Sequence, residues 1–396
     1  MKAKYRNKSE LLGNFIEDSG DLILIDCDMD VYDQDTNELI ACFRKNAIDL
    51  DVLMDKKIFN MLKNNAGKTY SRALAAGKNQ LQEFVGKMRR LTKGEVQLLR
   101  DLCSKHPDKV DFTYDTEEKN KWSNHLAYHE KMVEDGVTWE KIFEKFFSLE
   151  IPEEEWKQEA KKYKKKYVSS STKSAACNSG VIGSLGRSSR FPYCRMNSYA
   201  RDHEETLKSF YPFLERVSEL YKECAPVQYE AQKKFVEKVP SEYVLGDSVY
   251  TTVTTNWNFR TAAHTDSGDY SDSFAALVCM SDTGFEGAYL CLPEYGIKFN
   301  FQPRDFFVGN TGKYIHGNTP KTSENDNRLS LVFYVREDLG SCESCKEESL
   351  RESFVKHRRA NRNTHPESTG SRWQGVSKNM WDSQEWKEYK CNTSLE

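Results

Sequence analysis

The chain has 396 residues, of which 38% are hydrophobic, 12% aromatic and 30% charged. This length suits two or three domains, and 21 Phe, 20 Tyr and 7 Trp supply enough bulk for a sizeable core, which excludes a wholly disordered chain. No run of about 18 apolar residues occurs, which excludes a membrane span. Because the net charge is only −3, a nucleic-acid partner must be held by a local basic patch.

The N-terminus and the cysteines predict an intracellular protein. Residues 1–20 lack the apolar segment of a secretory signal. Eleven cysteines is an odd number, and without such a signal we expect them to be reduced thiols. The expected location is the nucleus in a eukaryote and the cytoplasm otherwise, and the sequence is compatible with a monomer.

The first segment, residues 1–80, opens with a β-like run at Leu22–Asp26 and reaches a compact run at Lys68–Gly77. The small residues of the second run allow the backbone to approach another group closely, although a tightly packed turn explains them equally well.

Residues 81–167 contain 18 Lys and Arg against 18 Asp and Glu, a higher charge density than that of the whole chain. Five apolar residues fall on one stripe of a helix: Trp139, Ile142, Phe143, Phe146 and Phe147. The segment is therefore predicted to be a charged helical insertion. It ends in the lysine-rich run Lys161–Lys166, which is either a solvated face or, beside a nucleic-acid groove, a phosphate contact. His125 and His129 are spaced as two ligands on a helix, but surface histidines are the better interpretation.

Residues 168–200 are rich in Ser and Gly and predict a long loop, followed by a helix over 204–234. The later sequence changes to β-branched runs separated by turn signals, which predicts an antiparallel barrel or jelly roll. Its strands are predicted at 249–255, 274–280, 288–292, 297–302 and 329–335.

The tail, residues 341–396, carries Cys342 and Cys345 in a CxxC arrangement and a tryptophan-rich end. Structural zinc needs a second ligand pair, so we do not favour a zinc site here. Trp373, Trp381 and Trp386 are predicted to fasten the tail onto the barrel.

The strongest chemical signal is His264-Thr265-Asp266 inside the predicted barrel. Residues i and i+2 of a strand share a face, so an imidazole and a carboxylate stand side by side. His316 follows 52 positions later, and a double-stranded β-helix brings such a late strand back beside an early one. Two imidazoles and one carboxylate form the facial triad of non-haem Fe(II), which leaves open positions for cosubstrate and O₂.

Arg328 and Ser330 follow His316 and share one face of the last predicted strand. An arginine and a hydroxyl can together hold a carboxylate, which is the requirement for anchoring 2-oxoglutarate beside a metal. The alternative is a surface salt bridge at Arg328 with ordinary polar roles for His264 and His316.

The barrel motifs resemble the TET and J-binding-protein dioxygenases, which oxidise the 5-methyl group of pyrimidines in nucleic acid. The resemblance covers residues 177–340 and rests on four stretches: 258–269, 287–295, 316–319 and 328–337. One departure is Glu286-Gly287, where the family has paired glycines. The resemblance implies an α+β fold with a double-stranded β-helix core at 168–340, to which residues 1–80 contribute the N-terminal part.

By this resemblance His264, Asp266 and His316 are the iron ligands, and Arg328 with Ser330 anchors 2-oxoglutarate. It also places Asp269 where the family contacts the target base, although a turn-capping role is the alternative. Arg260 is expected to help hold the cosubstrate or a phosphate, unless it forms a core salt bridge.

The implied function is hydroxylation of 5-methylcytosine or thymine in DNA, or in RNA, with Fe(II), 2-oxoglutarate and O₂. The same chemistry on a protein side chain, an amino acid or a metabolite is the second hypothesis, and a non-catalytic reader is the third. A base inside a duplex must be flipped out, which needs a basic surface. The candidates for that surface are Arg72, Arg187, Arg195, Lys68, Arg190, Lys161–Lys166, Arg358, Arg359 and Arg362.

Overall fold

The computed structural model describes residues 1–3, 11–69, 73–77, 177–188, 191–281, 285–322, 327–360 and 380–393. All of them belong to one unit, which combines residues 1–80 with residues 174–396. The interpretations given for residues 81–167 lie outside the described residues, and the division of the chain into domains stays a prediction.

Fourteen strands are found in the described ranges. They are β1 (Lys2–Ala3), β2 (Ile23–Ile25), β3 (Met29–Asp33), β4 (Leu39–Arg44), β5 (Lys68–Thr69), β6 (Cys177–Leu185), β7 (Arg195–Met196), β8 (Thr252–Trp257), β9 (Ala275–Met280), β10 (Leu290–Leu292), β11 (Ile297–Phe299), β12 (Phe306–Gly309), β13 (Gly317–Asn318) and β14 (Leu329–Tyr334). The larger sheet has the order β1-β3-β4-β12-β9-β14-β8-β6-β5, with β7 paired to β6, and the smaller sheet has the order β13-β10-β11-β2.

From β8 to β14 the chain passes back and forth between the two sheets. Strands β8, β9, β12 and β14 belong to the larger sheet, and β10, β11 and β13 to the smaller. Leu277 and Phe307 of the larger sheet pack against Leu290 and Phe299 of the smaller in one apolar core. The predicted α+β jelly roll is confirmed, and strands β2 to β4 of the N-terminal segment extend both of its sheets.

Seven helices lie in the described ranges. They are α1 (Leu50–Leu53), α2 (Lys56–Asn65), α3 (Ser198–Asp202), α4 (Glu204–Cys224), α5 (Pro226–Val236), α6 (Cys345–Ala360) and α7 (Gln384–Thr393). Helices α2, α3 and α4 contact the larger sheet. Helix α4 buries Phe210 and Phe213 against Phe333 of β14. The single helix predicted over 204–234 is wrong: the chain breaks at Ala225, because the residue before Pro226 is disfavoured in the helical conformation. No helix in the described ranges is long and apolar enough to cross a membrane.

Strand β6 shows that the loop predicted over residues 168–200 is wrong for residues 177–185, while residues 168–176 lie outside the described residues. Its glycines resemble loop punctuation, but they are required by packing. A Cβ on Gly180 would lie 1.9 Å from the carbonyl oxygen of Asn65, and Gly183 has a φ of +118°. The small residues therefore let helix α2 approach the sheet closely while β6 pairs with β8.

One pair of cysteines differs from the expectation of reduced thiols. Cys194 and Cys342 form a disulfide across 148 residues, so the prediction of reduced thiols is wrong for this pair. Of the tail tryptophans, Trp381 and Trp386 pack on Phe354 of α6, in a cluster that includes Tyr193 beside β7. They pack the end of the tail onto α6, which is itself part of the tail, and onto Tyr193 in the β6–β7 connection. Trp373 lies outside the described residues.

Candidate active site

The structure brings His264, Asp266 and His316 together beside β13 of the smaller sheet. The two histidines form an antiparallel bridge in which each backbone N–H donates to the other's carbonyl at 2.9 Å. Nε2 of each imidazole lies 3.5 Å from a different carboxylate oxygen of Asp266. All three potential ligand atoms lie within 4.8 Å of one another, and no other such group of His, Cys, Asp and Glu is found within the described residues.

Backbone carbonyls orient both imidazoles. Nδ1 of His264 donates to the carbonyl of Ala262 at 2.8 Å, and Nδ1 of His316 donates to that of Tyr314 at 3.3 Å. A proton fixed on Nδ1 leaves the Nε2 lone pair free toward Asp266, which is the tautomer that a metal ligand needs.

The charges of this group suit a cation. Burial lowers the pKa of His316 to about 4, with His264 contributing in the same direction, so His316 is neutral at physiological pH. For Asp266, burial alone would raise the pKa, but the two imidazoles outweigh it and hold the pKa below its ordinary value. A neutral imidazole beside an ionised carboxylate is the protonation state in which such residues bind metal.

A cavity of about 560 Å³ opens in front of this group, between the two sheets. Its wall includes every second residue from the start of β14 onward, as expected for the face of one strand. These residues are Arg328, Ser330, Val332, Tyr334 and Arg336. The volume lies within the range of small-molecule sites and accommodates a small dicarboxylate together with a heterocyclic ring.

Arg328 is 5% exposed and lies at one end of this wall. Its Nη1 donates to Oγ of Ser330 at 3.3 Å, and its guanidinium lies 5.7 Å from the ring centre of Phe285. Nε of Arg328 is buried with no hydrogen-bond partner in the described part of the chain. A buried guanidinium with a spare donor, placed in a cavity beside a hydroxyl, fits an incoming carboxylate.

Asp269 and Arg336 form a second polar pair in the cavity wall, where their backbones make an isolated bridge. Burial raises the pKa of Asp269 well above its usual range, the charge of Asp266 adds to this, and Arg336 opposes it. The sequence analysis assigned no role to Arg336. Its spacing was the available signal, because Arg336 lies an even number of residues after Arg328 and Ser330, and such positions share one face of an extended segment.

Three other predicted arginines are placed away from the cavity wall. Arg260 donates to Glu17 at 2.8 Å and to the Ile16 carbonyl at 2.7 Å, and this salt bridge lies at the surface and not in the core, since the Glu17 side chain is 70% exposed. Arg187 pairs with the buried carboxylate of Glu348, and Arg195 lies 4.1 Å from the ring centre of Phe191. Arg72 lies outside the described residues, as do Arg190 and the Lys161–Lys166 run.

A jelly-roll core that carries a His-Asp-His group is the arrangement found in 2-oxoglutarate and iron oxygenases. Residues 186–337 match the family model described as the oxygenase domain of the 2OGFeDO superfamily, Tet_JBP. Over these residues the match supports the resemblance to the TET/JBP family that the sequence motifs indicated.

Curated relatives match about two fifths of the chain. Thymine dioxygenase JBP1 of Trypanosoma brucei brucei is 35% identical over 162 residues, which are 40% of this chain and 19% of the relative. The bifunctional helicase and thymine dioxygenase JBP2 of Trypanosoma cruzi is 36% identical over 170 residues, 42% of this chain and 15% of the relative. The chain thus spans less than a fifth of these proteins. Among solved structures, NgTET1 in complex with 5mC DNA matches with 17% identity and a TM-score of 0.37, covering 53% of this chain and 77% of that one.

Proposed function

We propose that this chain is an Fe(II)- and 2-oxoglutarate-dependent dioxygenase that hydroxylates the 5-methyl group of thymine or 5-methylcytosine in DNA. The observation that carries the proposal is the His-Asp-His group facing a buried arginine across one cavity, within a region that matches the TET/JBP family model. The names of the relatives support a pyrimidine methyl group as the target.

His264, Asp266 and His316 are the proposed iron ligands. Two imidazole nitrogens and one carboxylate oxygen suit Fe(II) and leave positions on one side of the metal for other ligands. When bound, iron with 2-oxoglutarate and O₂ supplies the oxidation of the methyl C–H bond, with succinate and CO₂ as co-products. The protein itself contributes ligand orientation, through the carbonyls of Ala262 and Tyr314, and a site between the two sheets.

Arg328 and Ser330 are proposed to hold the distal carboxylate of 2-oxoglutarate. The unpaired Nε of Arg328 and the Ser330 hydroxyl provide donors at the buried end of the cavity. Asp269 is proposed to hold the edge of the target base, because it lines the same cavity and its carboxyl group can accept a hydrogen bond from the cytosine amine or from N3–H of thymine.

The direct test uses three matched oligonucleotides with Fe(II) and 2-oxoglutarate. One contains thymine as its only 5-methylpyrimidine, one contains 5-methylcytosine with uracil replacing thymine, and one contains neither. We expect 5-hydroxymethyl nucleosides by mass spectrometry from at least one of the first two, with a matching amount of succinate. The third oligonucleotide and an incubation without 2-oxoglutarate are the controls, and a ribonucleotide version compares RNA with DNA. Absence of oxidised nucleoside from every strand would contradict the proposal.

A variant tests the proposed base contact. Asp269→Ala is expected to lower kcat/KM for the preferred oligonucleotide by roughly 5- to 150-fold, because one base-edge contact contributes about 1–3 kcal/mol. Binding of 2-oxoglutarate should stay at the wild-type level, since Arg328 is unchanged. Asp269→Asn, which keeps a hydrogen-bonding group of the same size, should lose less. Wild-type turnover and wild-type base selectivity in Asp269→Ala would reduce this residue to a turn-capping role.

A further inference from the structure

A second concave surface lies outside the cavity, between helix α5 and Tyr270, and has a volume of about 670 Å³. We name it the α5 groove. Its apolar part comes from Val227, Ala231 and Phe235, and its rim carries Lys234 and Lys238. The spacing of these positions by three or four residues places them on one side of the helix and its last turn. Val227 is 75% exposed, which is unusual for a large apolar side chain and marks the groove as open.

Tyr270 joins this groove to the candidate active site. It directly follows Asp269, which lines the cavity, whereas Tyr270 itself lines the groove. Consecutive Cα atoms are about 3.8 Å apart, so a strand whose base is held beside Asp269 has its neighbouring nucleotide within reach of the groove. The two surfaces therefore lie on opposite sides of one short chain segment, because consecutive side chains of an extended segment point to opposite faces.

The aromatic surface at this junction is held in place. The Tyr270 ring stacks on Phe235 with ring centres 4.2 Å apart and an interplanar angle of 16°. Its backbone N–H donates to the Val335 carbonyl at 3.0 Å. On the Phe235 ring, Gly340 packs so closely that a Cβ there would lie 2.9 Å away. Because the ring is already fixed beside open space, little conformational entropy is lost when a ligand stacks on it.

The charges of the groove favour an anion. Lys234 and Lys238 are both exposed and lie four residues apart, and Glu230 is the one carboxylate among the lining residues. At the edge of the groove, Asp272 accepts a hydrogen bond from the Tyr270 hydroxyl at 3.3 Å. An aromatic ring next to a groove with excess positive charge is the arrangement with which proteins bind single-stranded nucleic acid: the base stacks and the lysines neutralise phosphates.

We propose that the α5 groove binds the nucleotide adjacent to the target base, with its base on Tyr270 and its phosphates at Lys234 and Lys238. This inference rests on the proposed function and adds where the substrate strand lies outside the cavity. Any methylated strand, whatever its sequence, can use this contact, because every base has a stacking face.

The test places 2-aminopurine, whose fluorescence falls when it stacks, on either side of the target base in a single-stranded oligonucleotide. We expect wild-type protein to quench the probe at one of the two positions. Tyr270→Ala should abolish the quenching and raise the oligonucleotide KM by roughly 5- to 150-fold with a smaller effect on kcat. Tyr270→Phe, which keeps the ring, should retain both the quenching and the wild-type KM.

The lysines are tested separately, because their side chains are exposed and their removal is tolerated by the fold. The test measures the slope of the logarithm of the binding constant against the logarithm of the salt concentration. In the double variant Lys234→Ala, Lys238→Ala this slope should become less negative by about 0.7 for each phosphate that the two lysines neutralise in the wild-type protein. Lys208→Ala on α4 is the matched control, since this exposed lysine pairs with Glu204 and Glu205 and does not line the groove. It should leave the salt dependence unchanged.

The outcomes separate this inference from the proposed function. If wild-type protein oxidises the oligonucleotides but quenches the probe at neither position, or if Tyr270→Ala keeps the wild-type KM, the groove does not hold the flanking nucleotide. Oxidation of the oligonucleotide without quenching of the probe is also the result expected if the groove binds a peptide segment instead. If wild-type protein oxidises no strand at all, the proposed function fails and the groove inference fails with it.

Discussion

We expect Asp266→Ala to abolish turnover. The variant removes the only carboxylate of the His-Asp-His group and leaves two imidazoles, of which His316 is neutral at physiological pH. Residues that merely support metal ligands cost about 10- to 100-fold when mutated, so loss of a ligand should exceed that range. Iron content after reconstitution and succinate formation measure the two consequences, and both should fall.

The matched control for this variant is Asp202→Ala, which removes an exposed carboxylate from the end of α3. It should keep wild-type iron content and turnover. His264→Ala and His316→Ala should behave like Asp266→Ala, since each removes one of three ligands. If any of the three retained near-normal activity and iron content, the assignment of the metal site would be wrong.

The juxtaposition of this group could be predicted because its signal is local, although His264 and Asp266 lie in the connection between β8 and β9, where, of the two, only His264 makes an isolated bridge. His264 and Asp266 are two residues apart, and the return of His316 beside His264 follows from the alternation of strands between two sheets. Likewise, Arg328 and Ser330 share a strand face by simple periodicity. These inferences need only the period of a β-strand and the topology of a jelly roll.

The failures have a different cause, because they depend on contacts between distant segments. The glycines of β6 are required by the approach of α2, which nothing in the local sequence reveals. The bond between Cys194 and Cys342 joins residues 148 positions apart. The salt-bridge partner of Arg260, Glu17, likewise comes from the other end of the chain.

The error in predicting one helix over 204–234 also hides the α5 groove. A continuous helix over 204–234 would have carried Lys234 along the direction of α4. The break at Ala225 starts a new helix, which places Phe235 against Tyr270 and creates the groove beside Asp269. A proline at the first position of a helix is favourable, so Pro226 both ends one helix and begins the next.

The second large effect concerns the cosubstrate. Arg328→Leu should raise the KM for 2-oxoglutarate by about 10- to 100-fold, because the charge-assisted hydrogen bonds of a buried guanidinium contribute roughly 1.5–3 kcal/mol. Arg328→Lys keeps the charge but cannot form two parallel hydrogen bonds, so an intermediate KM is expected. Arg216→Leu, which removes an exposed arginine that pairs with Glu219 and Glu223 on α4, is the control and should leave the KM unchanged.

A cosubstrate lacking the distal carboxylate identifies the group that Arg328 holds. Wild-type protein should strongly prefer 2-oxoglutarate over 2-oxopentanoate, a 2-oxo acid of equal chain length with a methyl group at that end. Arg328→Leu removes the partner of the carboxylate, so its preference should shrink toward equality, as in a double-mutant cycle. If the variant instead kept the wild-type preference, the distal carboxylate would have to be bound by another residue, and the spare Nε donor of Arg328 would need a different explanation.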